Sequence, residues 1–137
     1  MAMISIIGMG TVGRSMYEVF GDASLYDPAK GYEGPVGGTA FVCVPTPSSP
    51  DGSCNTSIVE KVIATHTADL FVIRSTVPPG TCRMLAEKYE KLIVFQPEYL
   101  GMTRGHRYRS DADVPFVILG GTWAGKVAEL YRTVLPS

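Results

Sequence analysis

The sequence has no Cys-x-x-Cys and no Cys/His pair at zinc-binding spacing, which removes the usual zinc sites and leaves no metal centre to expect. Its three cysteines, Cys43, Cys54 and Cys82, cannot all pair with one another, so they read as reduced thiols of a cytoplasmic protein. No run of about 18 apolar residues is present to span a bilayer. The apolar start MAMISIIG also lacks the basic flank and length of a signal peptide. Charge of one sign is missing too: 12 Lys and Arg stand against 13 Asp and Glu, a net charge of -1, which argues against a general nucleic-acid surface. These absences predict a single domain spanning residues 1–137, with neither membrane nor nucleic acid as partner, and the length suffices to bury a core without staples.

What the sequence does contain is alternation. An apolar run over residues 3–7 predicts a buried parallel strand, and a glycine-rich turn then opens a helix over 11–20. Residues 23–27 form a second strand. The stretch PAKGYEGPVGG carries five glycines and prolines after Lys30 and reads as loop. A strand over 39–44 is closed by Pro45 and Pro47. Next comes a helix, capped by Asn55 or Thr56, that runs to about His66 with Ile58, Val62 and Ile63 at helical spacing. Residues 70–74 make a fourth strand, 80–91 a helix with Met84 and Leu85 inward, and 92–95 a fifth strand. The polar, aperiodic stretch 101–114 reads as loop with room for a short helical turn. A sixth strand is expected over 116–119. The closing helix, over 123–134, has Val127, Leu130, Tyr131 and Val134 on one side and Trp123 in the core, while His66 caps its own helix. This order predicts an α/β fold with a doubly wound, mostly parallel, Rossmann-like sheet covered on both faces.

GMGTVG sets Gly8, Gly10 and Gly13 in the GxGxxG arrangement, with Thr11 and Val12 starting the helix. The first glycine permits a tight turn, the second lets a pyrophosphate approach the backbone, and the third allows helix and strand to pack closely. Free N–H groups at the helix start make an anion site. Asp27 stands 19 residues after Gly8, at the end of the next strand, where a carboxylate hydrogen-bonds an adenosine ribose and repels a 2′-phosphate, which favours NAD over NADP. The alternative is a turn made only for packing, with Asp27 as a cap.

Four strand ends, FVCVPTP, FVIRSTVPPG, FQPEYLG and FVILGG, would meet at the carboxyl edge of such a sheet. Together with GMGTVG, the segments VPTPSSPDGSCNTSIVE, RSTVPPGT and QPEYLG resemble the N-terminal domain of the UDP-glucose/GDP-mannose dehydrogenase family, in order, over about residues 3–121. The resemblance implies oxidation of a nucleotide-sugar C6 alcohol with NAD. It also implies that Pro45-Thr46-Pro47 borders the cofactor, and that Ser75 and Thr76 lie by the nicotinamide with Thr76 as the polar contact. Glu98 would stand beside the reacting sugar to handle protons, with Tyr99 and Leu100 also against substrate. The alternatives are strand termination by proline and, for Glu98, a solvated loop acid. Arg104, His106, Arg107 and Arg109 could meet a diphosphate, or form a solvated loop.

Three departures from the family pattern stand out. Only 11 residues separate Asp27 from Thr39, where the family inserts helices and a strand, so the sheet is expected to be trimmed after its second strand. Met102 stands where the family has a second acid. The family's nucleophilic cysteine segment, substrate lysine and dimerisation helix are not in this sequence, and Cys43, Cys54 and Cys82 read as structural cysteines. The expectation is therefore an NAD-binding domain of a nucleotide-sugar 6-dehydrogenase that is either a fragment of a longer enzyme or works with a partner chain carrying the missing catalytic domain, or as a homo-oligomer covering the trimmed sheet edge. The alternative is a non-catalytic nucleotide-binding or regulatory module.

Overall fold

The computed structural model describes residues 3–101 and 103–135. In chain order they form β1 (Ile4–Ile7), α1 (Thr11–Phe20), β2 (Ser24–Asp27), β3 (Tyr32–Glu33), β4 (Thr39–Val42), α2 (Ser57–Thr65), β5 (Leu70–Ile73), α3 (Thr81–Tyr89), β6 (Ile93–Phe95) and α4 (Ala124–Arg132). Short 3-10 turns occupy Pro28–Lys30 and Asp111–Asp113. The strands make one sheet in the order β3-β2-β1-β4-β5-β6. Every neighbouring pair is parallel except β2 and β3, which run antiparallel. Among the described residues no helix is long and apolar enough to cross a membrane.

The inner strands are apolar on both faces because both are covered. Ile6, Phe41, Val72 and Val94 point to the side packed by Met16 and Phe20 of α1 and by Val127 and Tyr131 of α4. Ile7, Ala40, Val42, Phe71 and Ile73 point to the side packed by Val59, Val62 and Ile63 of α2 and by Leu85 of α3. Two side chains alternating across each strand therefore feed two separate cores, the arrangement that continuous apolar strands require. The doubly wound sheet is thus as expected.

Several details differ from the expectation, each for a physical reason. The stretch after Lys30 is not only loop: it returns as β3, pairing Asp27 with Tyr32 and Tyr26 with Glu33. With so few residues before β4 no crossover helix fits, and a chain that must pair at once can only turn back antiparallel. The expected strand at 116–119 is absent; that segment makes a single antiparallel bridge, Gly120 to Phe95. Phe116 and Ile118 stay exposed while Val117 and Leu119 pack on the α1–α4 core. Its partner β6 is only three residues long, which gives no ladder to extend. Ile58 and Met84 face solvent, and their neighbours Val59 and Leu85 are buried instead. Trp123 is not a core residue either: it is exposed at the N-cap of α4, with Lys126 Nζ 5.6 Å from its ring centroid. Val134 likewise is exposed.

The tightest contact lies where α1 meets β1. A Cβ built on Gly13 would sit 1.9 Å from the Gly8 carbonyl oxygen, and Gly8 itself has φ +91°. Overpacking against main chain cannot be relieved by a rotamer change, so Gly13→Ala should cost about 3 kcal/mol of stability. Urea unfolding of the variant measures this, and an unshifted midpoint would show that α1 can move away from the strand.

Candidate functional site

The sheet order reverses between β1 and β4, and ligand crevices of doubly wound sheets open at this point, beyond the carboxyl ends of the strands. A cleft of about 520 Å³ lies there, within the ~300–1,000 Å³ range of small-molecule sites. Its walls bring together residues far apart in sequence: Gly8, Gly10, Thr11 and Val12 from the first turn, Asp27 from β2, Pro45 and Thr46 after β4, Ser75 and Thr76 after β5, and Glu98 after β6. Lys30, Cys43, Val44 and Arg74 complete the lining.

The glycine turn is built locally. Gly8 N–H donates to Tyr26 O at 2.9 Å, and Arg14 N–H makes the first intrahelical bond, to Gly10 O at 3.0 Å. The amides of Thr11, Val12 and Gly13 thus precede the intrahelical ladder, no side chain caps this end, and the first turn holds no acid. The positive end of α1 is left bare for an anion. A Cβ on Gly10 would meet no protein atom within 4 Å, so the approach to these amides is open. Gly13 lies behind the turn and serves packing alone. Asp27 Oδ2 accepts from Met9 N–H at 2.8 Å, and Lys30 Nζ donates to Met9 O at 2.9 Å. A carboxylate and an ammonium thus grip the two sides of the Met9 backbone at one end of the cleft.

At the other end, Ser75 Oγ donates to Val44 O at 2.7 Å and is buried. Its hydroxyl therefore ties the ends of β4 and β5 together, and Ser75 reaches the cleft as part of the wall. Thr76 is exposed and its carbonyl accepts from Cys54 Sγ at 3.5 Å. Glu98 is partly buried and accepts from Leu100 N–H through Oε1.

Not every expected site residue gathers there. Tyr99 is exposed and stacks edge-on with Phe116 at 5.2 Å, and Leu100 touches the site only through its amide. Arg104, His106 and Arg107 are exposed and outside the cleft lining, while Arg109 lines a separate 290 Å³ recess with Arg14 and Thr11. Met102 lies outside the described residues. Sequence reasoning missed Lys30, three residues after the acid, and Arg74, whose charge at the end of the apolar run LFVIR was the available signal.

Comparison with known proteins gives this geometry a family. Residues 37–130 match the model of the UDP-glucose/GDP-mannose dehydrogenase family, NAD binding domain. The chain belongs to this family. NAD is accordingly the cofactor of the domain, and the open, uncapped, acid-free start of α1 fits a dinucleotide. The matched segment begins after the glycine turn, so the half of the cleft built from Gly8 to Lys30 stands on the geometry above. The fold also resembles a GDP-mannose dehydrogenase from Pseudomonas aeruginosa, solved as a ternary complex, at 20% identity and TM-score 0.60 over 96% of this chain. It resembles a UDP-glucose dehydrogenase from the hyperthermophilic archaeon Pyrobaculum islandicum at 22% identity and TM-score 0.67 over 98%. The chain spans 44% and 45% of those two proteins. No curated protein matches the sequence.

The cleft cysteine of this UDP-glucose/GDP-mannose dehydrogenase relative is unsuited to covalent chemistry. Cys43 lies just past the end of β4 rather than inside the strand, packed against the α1–α4 core. Burial pushes its thiol up to about 12, with Arg74 pulling weakly the other way. Cys82 is raised to about 11, also by burial. At pH 8 the Cys43 thiolate is then roughly one part in ten thousand, and only the thiolate reacts. Iodoacetamide should alkylate Cys43 about a thousandfold more slowly in the native chain than in urea at pH 8, read by peptide mass spectrometry; equal rates would contradict this. Because the folded value lies above the ordinary 9.0, the associated stability is intact below pH 9 and is lost as pH rises toward 12.

Proposed function

We propose that this chain is the cofactor-binding part of a nucleotide-sugar 6-dehydrogenase, with NAD lying along the cleft from Asp27 to Thr76. The observation that carries this reading is the single cleft shared by the glycine turn, Asp27, Thr76 and Glu98. In it the Thr11 and Val12 amides hold the pyrophosphate, Asp27 accepts from an adenosine ribose hydroxyl, and Pro45-Thr46 forms a rigid rim, since proline fixes φ. Thr76 meets the nicotinamide carboxamide. NAD held there would supply the two-electron acceptor that oxidation of the sugar C6 alcohol needs. The Glu98 carboxylate, within reach of the same space, takes the alcohol proton as the carbon is oxidised, the part of a general base. A nucleotide sugar is the substrate.

A second reading, a nucleotide-binding module without turnover, meets the same match to the NAD binding domain. Calorimetry and reduced-cofactor absorbance separate the two. Asp27→Ala should weaken NAD binding by about tenfold or more, the loss of a charge-assisted hydrogen bond. UDP-glucose or GDP-mannose added to the NAD complex should generate reduced cofactor, and Glu98→Gln should abolish that signal while NAD still binds. NAD binding without reduction under either sugar would leave the module reading. Unchanged NAD affinity in Asp27→Ala would overturn the ribose assignment.

A further inference from the structure

Arg74 sits directly before Ser75 and Thr76, with its side chain 1% exposed. Its guanidinium faces three segments at once. Nη1 and Nη2 donate to the two carboxylate oxygens of Asp111, each at 2.9 Å, and Nε donates to Gln96 O at 3.1 Å. Asp111 in turn accepts from Ser15 Oγ at 2.6 Å and returns its own N–H to that hydroxyl at 2.6 Å. Ser15 lies on α1 one turn after Thr11, and Gln96 lies two residues before Glu98. One buried fork therefore links the helix that carries the glycine turn, the strand end that carries Thr76 and the segment that carries Glu98.

Such a pair is a poor device for stability alone. Desolvation of both ions consumes most of their attraction, and apolar pairs of similar volume commonly replace them without loss. What the apolar pair cannot reproduce is direction, because a bidentate guanidinium-carboxylate contact fixes a plane and two distances. Burial opposes the Arg74 charge, yet the hydrogen bonds and charge of Asp111 hold its pKa above the ordinary value, so the guanidinium keeps its charge.

We infer that Arg74 is a positioning residue for the nicotinamide half of the NAD cleft, acting through Asp111 and Gln96. This rests on the proposed orientation of NAD, with adenosine at Asp27. Because the fork supports the Thr76 and Glu98 end, its removal should affect the two halves of the ligand unequally. Loss of general stability would not make that distinction.

The test uses the 137-residue chain with NAD and AMP as probes in calorimetry, alongside thermal unfolding. The double variant Arg74→Met/Asp111→Leu should stay folded and keep AMP affinity within about threefold, the scatter of independent sites. NAD should bind roughly tenfold more weakly, as for one charged hydrogen bond misplaced. Arg74→Lys keeps a paired charge without the fork, so it should recover part of the NAD preference, and it decides the matter if the double variant does not fold. Equal losses for NAD and AMP, or an unchanged NAD:AMP ratio in Arg74→Lys, overturn the inference. The orientation is checked separately by Asp27→Ala, which should weaken AMP as much as NAD.

Discussion

Helix α1 approaches β1 so closely that only hydrogen fits at position 13, with the Gly8 carbonyl in the space a side chain would fill. Much else follows from this contact. It holds the first helical turn at the end of β1, leaves Thr11 and Val12 lining the cleft, and brings Met9 N–H within 2.8 Å of Asp27. Glycine at this point loses more backbone entropy on folding than any other residue, and the two cores packed on the sheet offset that loss. The anion site is thus a consequence of packing, made before any ligand arrives.

The opposite wall is held by different means. Strands β4 and β6 break off near the cleft just before Pro45 and Pro97, since proline cannot extend a parallel ladder, and β5 ends beside them at Ile73. Strand ends released in this way need another anchor, and polar side chains supply it: Ser75 reaches to Val44 O, and Arg74 to Gln96 O and Asp111. Tyr131 of α4 closes the same network by exchanging hydrogen bonds with Gln96 at 2.6 and 2.9 Å. Polar groups buried behind the cleft wall are all satisfied among the described residues, so the wall is defined in direction as well as in volume. One side of the cleft is therefore set by main chain against main chain, the other by a polar network.

The division between what was legible in the sequence and what was not follows the range of each interaction. The glycine turn, α1 and Asp27 depend on contacts within a few residues, and their bounds were readable almost to the residue. The proline-ended strands were readable for the same reason, and the family resemblance that they carry was upheld by the match over residues 37–130. Helix faces were readable only to within one position: Ile58 and Val59, or Met84 and Leu85, are adjacent apolar residues between which periodicity does not choose. Strand β3 and the missing strand at 116–119 were decided by pairing partners, β2 and a three-residue β6, and a single segment does not reveal its partner. The Arg74–Asp111 contact joins residues 37 apart in sequence, so only the folded chain displays it.

The central claim is that the space above Gly10 belongs to the cofactor and not to the protein. The most direct measurement is therefore on Gly10→Ala, whose added methyl meets no protein atom within 4 Å. The account predicts a melting temperature close to that of the parent, since the N-cap change costs at most ~1 kcal/mol, together with NAD binding weakened at least about tenfold by steric exclusion from the amides. Parental NAD affinity in a folded Gly10→Ala chain would contradict it.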